Sequence, residues 1–171
     1  MKSKLVIVDT SILVVWLQVP GFEEAGEERL SKAQVDEKLQ NYKSEGAKLV
    51  LTIACIIETG NHIAQVKNGD IRRLKVNQFA DFLINVVEKK DGWMMFYSEK
   101  DMWSENEIAK LAEMWRESGV YKLSLGDASI IKVANRLKAI YDVEVFTGDS
   151  QLRGLASAPI APIYAPAKRR N

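Results

Sequence analysis

Four acidic residues stand where four separate apolar segments end or turn: Asp9 in L-V-I-V-D-T-S, Glu58 in I-I-E-T-G-N-H, Asp127 in S-L-G-D-A-S-I-I and Asp149 in V-F-T-G-D-S. Gathered in one cleft, each pair of carboxylates would repel by roughly 3 kcal/mol at 5 Å and an effective dielectric near 20. A hard divalent cation, Mg²⁺ or Mn²⁺, offsets that repulsion because it takes oxygen ligands. The chemistry such a cluster serves is metal-assisted hydrolysis of phosphate esters. Each acid also has an ordinary alternative. Asp9 can cap a helix, Asp127 can complete a capping box with Ser124, Asp149 can close a turn after Gly148, and Glu58 can sit in an ion pair. Glu58 is the hardest to place that way. Ile53, Ala54, Ile56, Ile57 and Ile63 make its segment apolar, and a buried carboxylate needs a partner.

Other residues supply supporting chemistry. Ser11 and Thr147 flank the first and last acids, and their hydroxyls suit the orientation of a carboxylate, with capping or turn roles as the alternative. Asn61 lies one helical turn after Glu58 on the same face, or else ends the helix after Gly60. The lone His62 is a candidate base set against a structural role. Lys67, Arg72, Arg73 and Lys75, and separately Lys168, Arg169 and Arg170, are weak candidates for contacts to a nucleic-acid phosphate backbone; a solvated helix face and a solubilising tail account for each set slightly better. Trp16 and Trp103 could stack on bases, though all four tryptophans also suit a core.

The elements that must position these groups follow from the apolar pattern. Residues 4–8 form a continuous apolar run, the signature of a strand buried on both faces. Thr10 or Ser11 is expected to cap a short helix through Leu17, ended by Pro20 and Gly21. The acidic segment 22–45 reads as a partly exposed helix or helical hairpin. Residues 48–52 read as a second strand, and Thr52 caps a helix carrying Glu58 to about Lys67. A helix after Asn68-Gly69-Asp70 places Ile71, Leu74, Phe79, Phe82, Leu83 and Val86 on one stripe. Residues 93–97 form a third strand. Ser104 and Glu107 then make a capping box for a helix with Ile108, Leu111, Ala112 and Trp115 on its face. Ser124 and Asp127 open a helix to about Ala139, followed by a strand at 143–146 and a short edge strand near Ile163.

Strands alternating with helices predict a three-layer α/β/α fold with a central, mostly parallel sheet of four to five strands. Ligands in such sheets lie beyond the carboxyl ends of the strands, where Asp9 and Asp149 stand. The expected organisation is one domain over 1–165, with a helical insertion at about 20–46 and a basic tail at 166–171. A net charge of +1 gives no general attraction to nucleic acid, so binding must come from a local patch. One cysteine, Cys55, excludes an internal disulfide and suits the cytoplasm, and one histidine with one cysteine cannot build a usual zinc site. No apolar run reaches a membrane span.

Taken in order, V-D-T-S, I-I-E-T-G-N-H-I, G-D-A-S-I-I and F-T-G-D-S resemble the motifs of the PIN-domain nucleases, whose nearest group is the VapC-like toxin ribonucleases. The resemblance covers most of the chain. It implies a Mg²⁺- or Mn²⁺-dependent ribonuclease with Asp9, Glu58, Asp127 and Asp149 as catalytic and metal-binding acids and Ser11, Asn61 and Thr147 in support. Its products would carry a 5′-phosphate and a 3′-hydroxyl. RNA is the implied partner, with a cognate antitoxin and a homodimer as further candidates. The 20–46 and 65–100 segments exceed a compact toxin, which leaves a standalone RNA-processing or defence nuclease open. T-G-D-S also resembles the haloacid-dehalogenase-like phosphatases, but those need a second acid where Ser11 stands. A non-catalytic protein-binding module is the remaining alternative.

Overall fold

The computed structural model describes residues 2–88, 90–96, 101–119 and 122–158. Its centre is a four-stranded, all-parallel sheet in the order β5-β4-β1-β6, made of β1 (Lys4–Val8), β4 (Lys48–Leu51), β5 (Trp93–Met95) and β6 (Asp142–Phe146). β1 is central, pairing Ile7 with Val50 on one side and Val8 with Phe146 on the other. Both of its faces are covered, which is why Leu5, Val6, Ile7 and Val8 are all buried without alternation. Seven helices flank the sheet among the described residues, in a three-layer α/β/α arrangement: α1 (Thr10–Trp16), α2 (Lys32–Ser44), α3 (Ile53–Ala64), α4 (Gly69–Val87), α5 (Glu105–Ser118), α6 (Leu125–Lys138) and α7 (Ser150–Ser157). A second apolar cluster of Val14, Val19, Ile63, Val66 and Phe79 ties α1, α3 and α4 together. Among the described residues no helix is long and apolar enough to cross a membrane.

Several local expectations are corrected. The 20–46 segment is not a helical hairpin: it is a short antiparallel hairpin, β2 (Glu24–Ala25) and β3 (Leu30–Ser31), followed by α2 alone. Its turn needs Gly26 and Arg29 at positive φ, +66° and +50°, a backbone that stops a helix. The cap of α1 is Asp9, not Thr10 or Ser11. On α4, Phe79 and Val86 are buried, whereas Ile71 and Leu74 are 39% and 53% exposed. Leu74 lies about 140° around the helix from Phe79 at 3.6 residues per turn, so they never shared a face. On α5 only Leu111 of the expected face is buried, and Trp115 instead donates its indole N–H to the Leu123 carbonyl at 2.8 Å. Ser104 caps α5 by position but makes no side-chain cap bond, and the Glu107 carboxylate, which would complete a capping box, goes to Lys110 and Lys132 instead. Tyr97 of the 93–97 strand, the edge strand near Ile163 and the basic tail lie outside the described residues.

Candidate active site

β1 and β6 are adjacent parallel strands, so their carboxyl ends deliver Asp9 and Thr147 to one point. The Asp9 backbone N–H continues the ladder to the Phe146 carbonyl at 3.0 Å. Its side chain, 5% exposed, is then held on a single oxygen. Oδ2 accepts from Ser11 Oγ at 2.7 Å, from Ser11 N at 3.3 Å and from Thr147 Oγ1 at 2.8 Å. The same two hydroxyls accept in turn, Ser11 Oγ from the Gly148 N–H and Thr147 Oγ1 from the Asp149 N–H, each at 3.0 Å. Oδ1 takes no part in these bonds. Burial pushes the Asp9 carboxyl above its ordinary range, the Ser11 and Thr147 bonds oppose that, and the charge of Asp127 adds to it.

Glu58 reaches the same corner from α3. Thr52 caps this helix by accepting from the Cys55 N–H, as expected. The Glu58 carboxylate is half-buried, not enclosed: α3 turns Ile57 to solvent, 57% exposed, so its apolar residues do not all face the core. Oε2 accepts from Thr10 Oγ1 at 3.0 Å. Oε1 lies over the first turn of α6, where a Cβ on Gly126 would approach it to 2.2 Å. Only glycine leaves that cradle open. Burial raises the Glu58 carboxyl; the Thr10 bond lowers it, and the charges of Asp127 and Asp9 raise it further. Asp127 completes the Ser124 capping box, accepting from Ser124 N at 2.9 Å while its own N–H donates to Ser124 Oγ at 3.0 Å.

Asp9, Glu58 and Asp127 therefore share one neighbourhood and feel each other's charge. Asp149 joins it through its backbone N–H, while its exposed carboxylate caps α7 by accepting from Gln151 N at 2.7 Å and Leu152 N at 3.0 Å. Among the described residues no lysine, arginine or histidine forms an ion pair with any of the four. The donor set, hard carboxylate oxygens without a cationic side chain, fits Mg²⁺ or Mn²⁺ in kind. As the side chains stand, no three of the described His, Cys, Asp or Glu groups close to metal-holding distance, and both Asp127 and Asp149 are engaged in caps.

The remaining candidates divide. Asn61 is exposed on α3, which ends at Gln65, so Asn61 is not its C-cap. His62 packs its ring edge-on against Phe22 at 4.7 Å and contributes a favourable charge to Glu58. Of the basic cluster, Arg72 donates to the Val66 carbonyl and Lys75 to the Leu17 carbonyl, each at 2.7 Å, so both hold the α1–α3–α4 junction. Lys67 and Arg73 are exposed. Trp16 packs against Phe82 and Trp93 at 4.9 and 5.6 Å, which leaves Trp103, 41% exposed, as the accessible tryptophan of the two expected to stack. Thr10, expected only as a helix cap, fixes Glu58 through its hydroxyl, and Gly126, which the sequence did not single out, admits it by its missing side chain. Their adjacency to Asp9 and Asp127 was the available signal. No protein-family model and no curated protein matches this chain.

Proposed function

We propose that this chain is a Mg²⁺- or Mn²⁺-dependent ribonuclease acting at the Asp9 corner. The observation that carries the reading is Asp9 itself. It is a buried carboxylate held by hydroxyls, paired with no cationic side chain among the described residues, and set beside Glu58 and Asp127. Burial without a countercharge costs several kcal/mol, and enzymes accept such a cost where a charged ligand completes the site. Asp9, Glu58 and Asp127 would hold the cation, with Asp149 at the rim. A bound cation supplies Lewis-acid polarisation of a phosphoryl oxygen and acidifies a water. Ser11 and Thr147 keep Asp9 Oδ2 fixed. Thr10 turns Glu58 so that Oε1 faces the open cradle at Gly126, where it would help hold the cation or position the attacking water. RNA as the substrate class rests on the ordered motifs that resemble PIN-domain nucleases.

The test is cleavage of end-labelled single-stranded RNA with Mn²⁺, comparing wild type with Asp9→Asn. Expected are 5′-phosphate and 3′-hydroxyl products from the wild type and none from the variant. Cleavage by Asp9→Asn that survives chelator would overturn the proposal. A second reading, a non-catalytic module, draws on the cap bonds that occupy Asp127 and Asp149. It predicts no cleavage under any cation.

A further inference from the structure

The loop carrying Thr147 and Asp149 is gripped by a segment more than a hundred positions earlier in the chain. Gly26, in the turn between β2 and β3, lies backbone-to-backbone against Gly148. A Cβ on Gly26 would come within 1.9 Å of the Gly148 carbonyl oxygen, and one on Gly148 within 2.6 Å of the Gly26 nitrogen. Two residues on, Glu28 Oε1 accepts from Arg153 Nη1 at 2.6 Å. The other guanidinium nitrogen, Nη2, donates to the Thr147 carbonyl at 2.8 Å. One planar fork thus joins the hairpin, α7 and the residue whose hydroxyl holds Asp9. The hairpin is anchored in turn, because Ala25 and Leu30 are 2% and 5% exposed.

We propose that Glu28 and Arg153 are positioning residues of the carboxylate site, and that the β2–β3 hairpin is the brace that keeps Thr147 Oγ1 on Asp9. Its catalytic consequence rests on the ribonuclease reading; its structural content does not. The Glu28–Arg153 pair is solvent-exposed, 51% and 39% at the two side chains, and exposed pairs contribute little to global stability. Its removal therefore leaves the fold and frees the loop. Catalytic geometry is far less forgiving, since displacements well under an ångström already matter at a reacting centre.

The experiment uses the full chain as wild type, Glu28→Ala, Glu28→Gln and Arg153→Gln. Two readouts are needed: amide hydrogen exchange at Gly148 and Asp149, whose N–H groups bond Ser11 and Thr147, and kcat and KM for RNA. Glu28→Ala and Arg153→Gln should speed exchange at both amides about tenfold. They should lower kcat on the order of tenfold while KM stays within about twofold. Glu28→Gln keeps an acceptor for Arg153 and should stay near wild type in both. Unchanged exchange in Arg153→Gln, or faster exchange with unchanged kcat, overturns the proposal. Faster exchange in a chain whose wild type cleaves no RNA supports the brace and overturns the ribonuclease reading instead.

Discussion

Asp9 and Glu107 each collect several hydrogen bonds, but from different kinds of donor. Glu107, on α5, takes Lys110 at 2.6 Å and Lys132 at 2.9 Å, and those lysines bring its carboxyl down to about 2. Asp9 takes two hydroxyls and a backbone N–H, and burial leaves its carboxyl raised. Lysines finish an acid: they orient it and neutralise it, and nothing more need bind. Hydroxyls orient without neutralising, so the charge remains to be answered from outside. The contrast separates a neutralised carboxylate from an uncompensated one more sharply than burial alone, because position and charge compensation are set independently.

The strongest way to break this contrast is activity. Asp9→Asn should lower RNA cleavage by about 10³-fold or more, and Glu107→Gln should leave it unchanged; equal losses in both would erase the distinction. Next comes Gly126→Ala. The new Cβ clashes with the flexible end of Glu58 and meets Ser124 Oγ at an ordinary 3.4 Å, so the protein should fold while the carboxylate is displaced, costing on the order of 10–100-fold in cleavage. Third is cation-dependent melting. Mn²⁺ at a hundred times its dissociation constant should stabilise the wild type by about 2.7 kcal/mol, a melting shift of roughly 5–10 °C. Asp9→Asn should lose that shift and Glu107→Gln keep it.

The smallest effect expected is on pH dependence in chelator. Asp9 and Glu58 have raised folded-state values, so their contribution to stability is present at low pH and is lost as pH rises through those values. Glu107 has the opposite sign: its contribution is present above its unfolded value and is lost as pH falls towards about 2. Melting between about pH 4 and pH 7 should therefore be less pH-dependent in Asp9→Asn than in wild type, with Glu107→Gln keeping the wild-type slope over the upper part of that range.

Local signals in the chain carried much of the frame. The unbroken apolar run before Asp9 announced a doubly covered strand, and Ser124–Asp127 and Thr52 announced real caps. What escaped sequence reading depends on partners distant in the chain. Gly26 looks like any turn glycine until Gly148 is packed on it. Ser104 and Glu107 have capping-box spacing, but Lys132, on another helix, outcompetes the backbone for that carboxylate. Arg72 and Lys75 resemble a basic patch, yet each has a carbonyl from a neighbouring segment within reach. Asp149 is the local exception: it stands at the right strand end, but its carboxylate caps α7 by accepting from the N–H groups of Gln151 and Leu152, two and three positions on.

The bond from Thr147 to Asp9 spans 138 positions in the chain. A contact of that separation is gained only after the intervening chain has closed, at a cost in loop-closure entropy. During synthesis the ribosome releases Asp9 long before it releases Thr147, so a nascent or prematurely terminated chain has the first acid without its clasp. Whatever the corner does, it can begin only once Thr147 has left the ribosome and closed on Asp9.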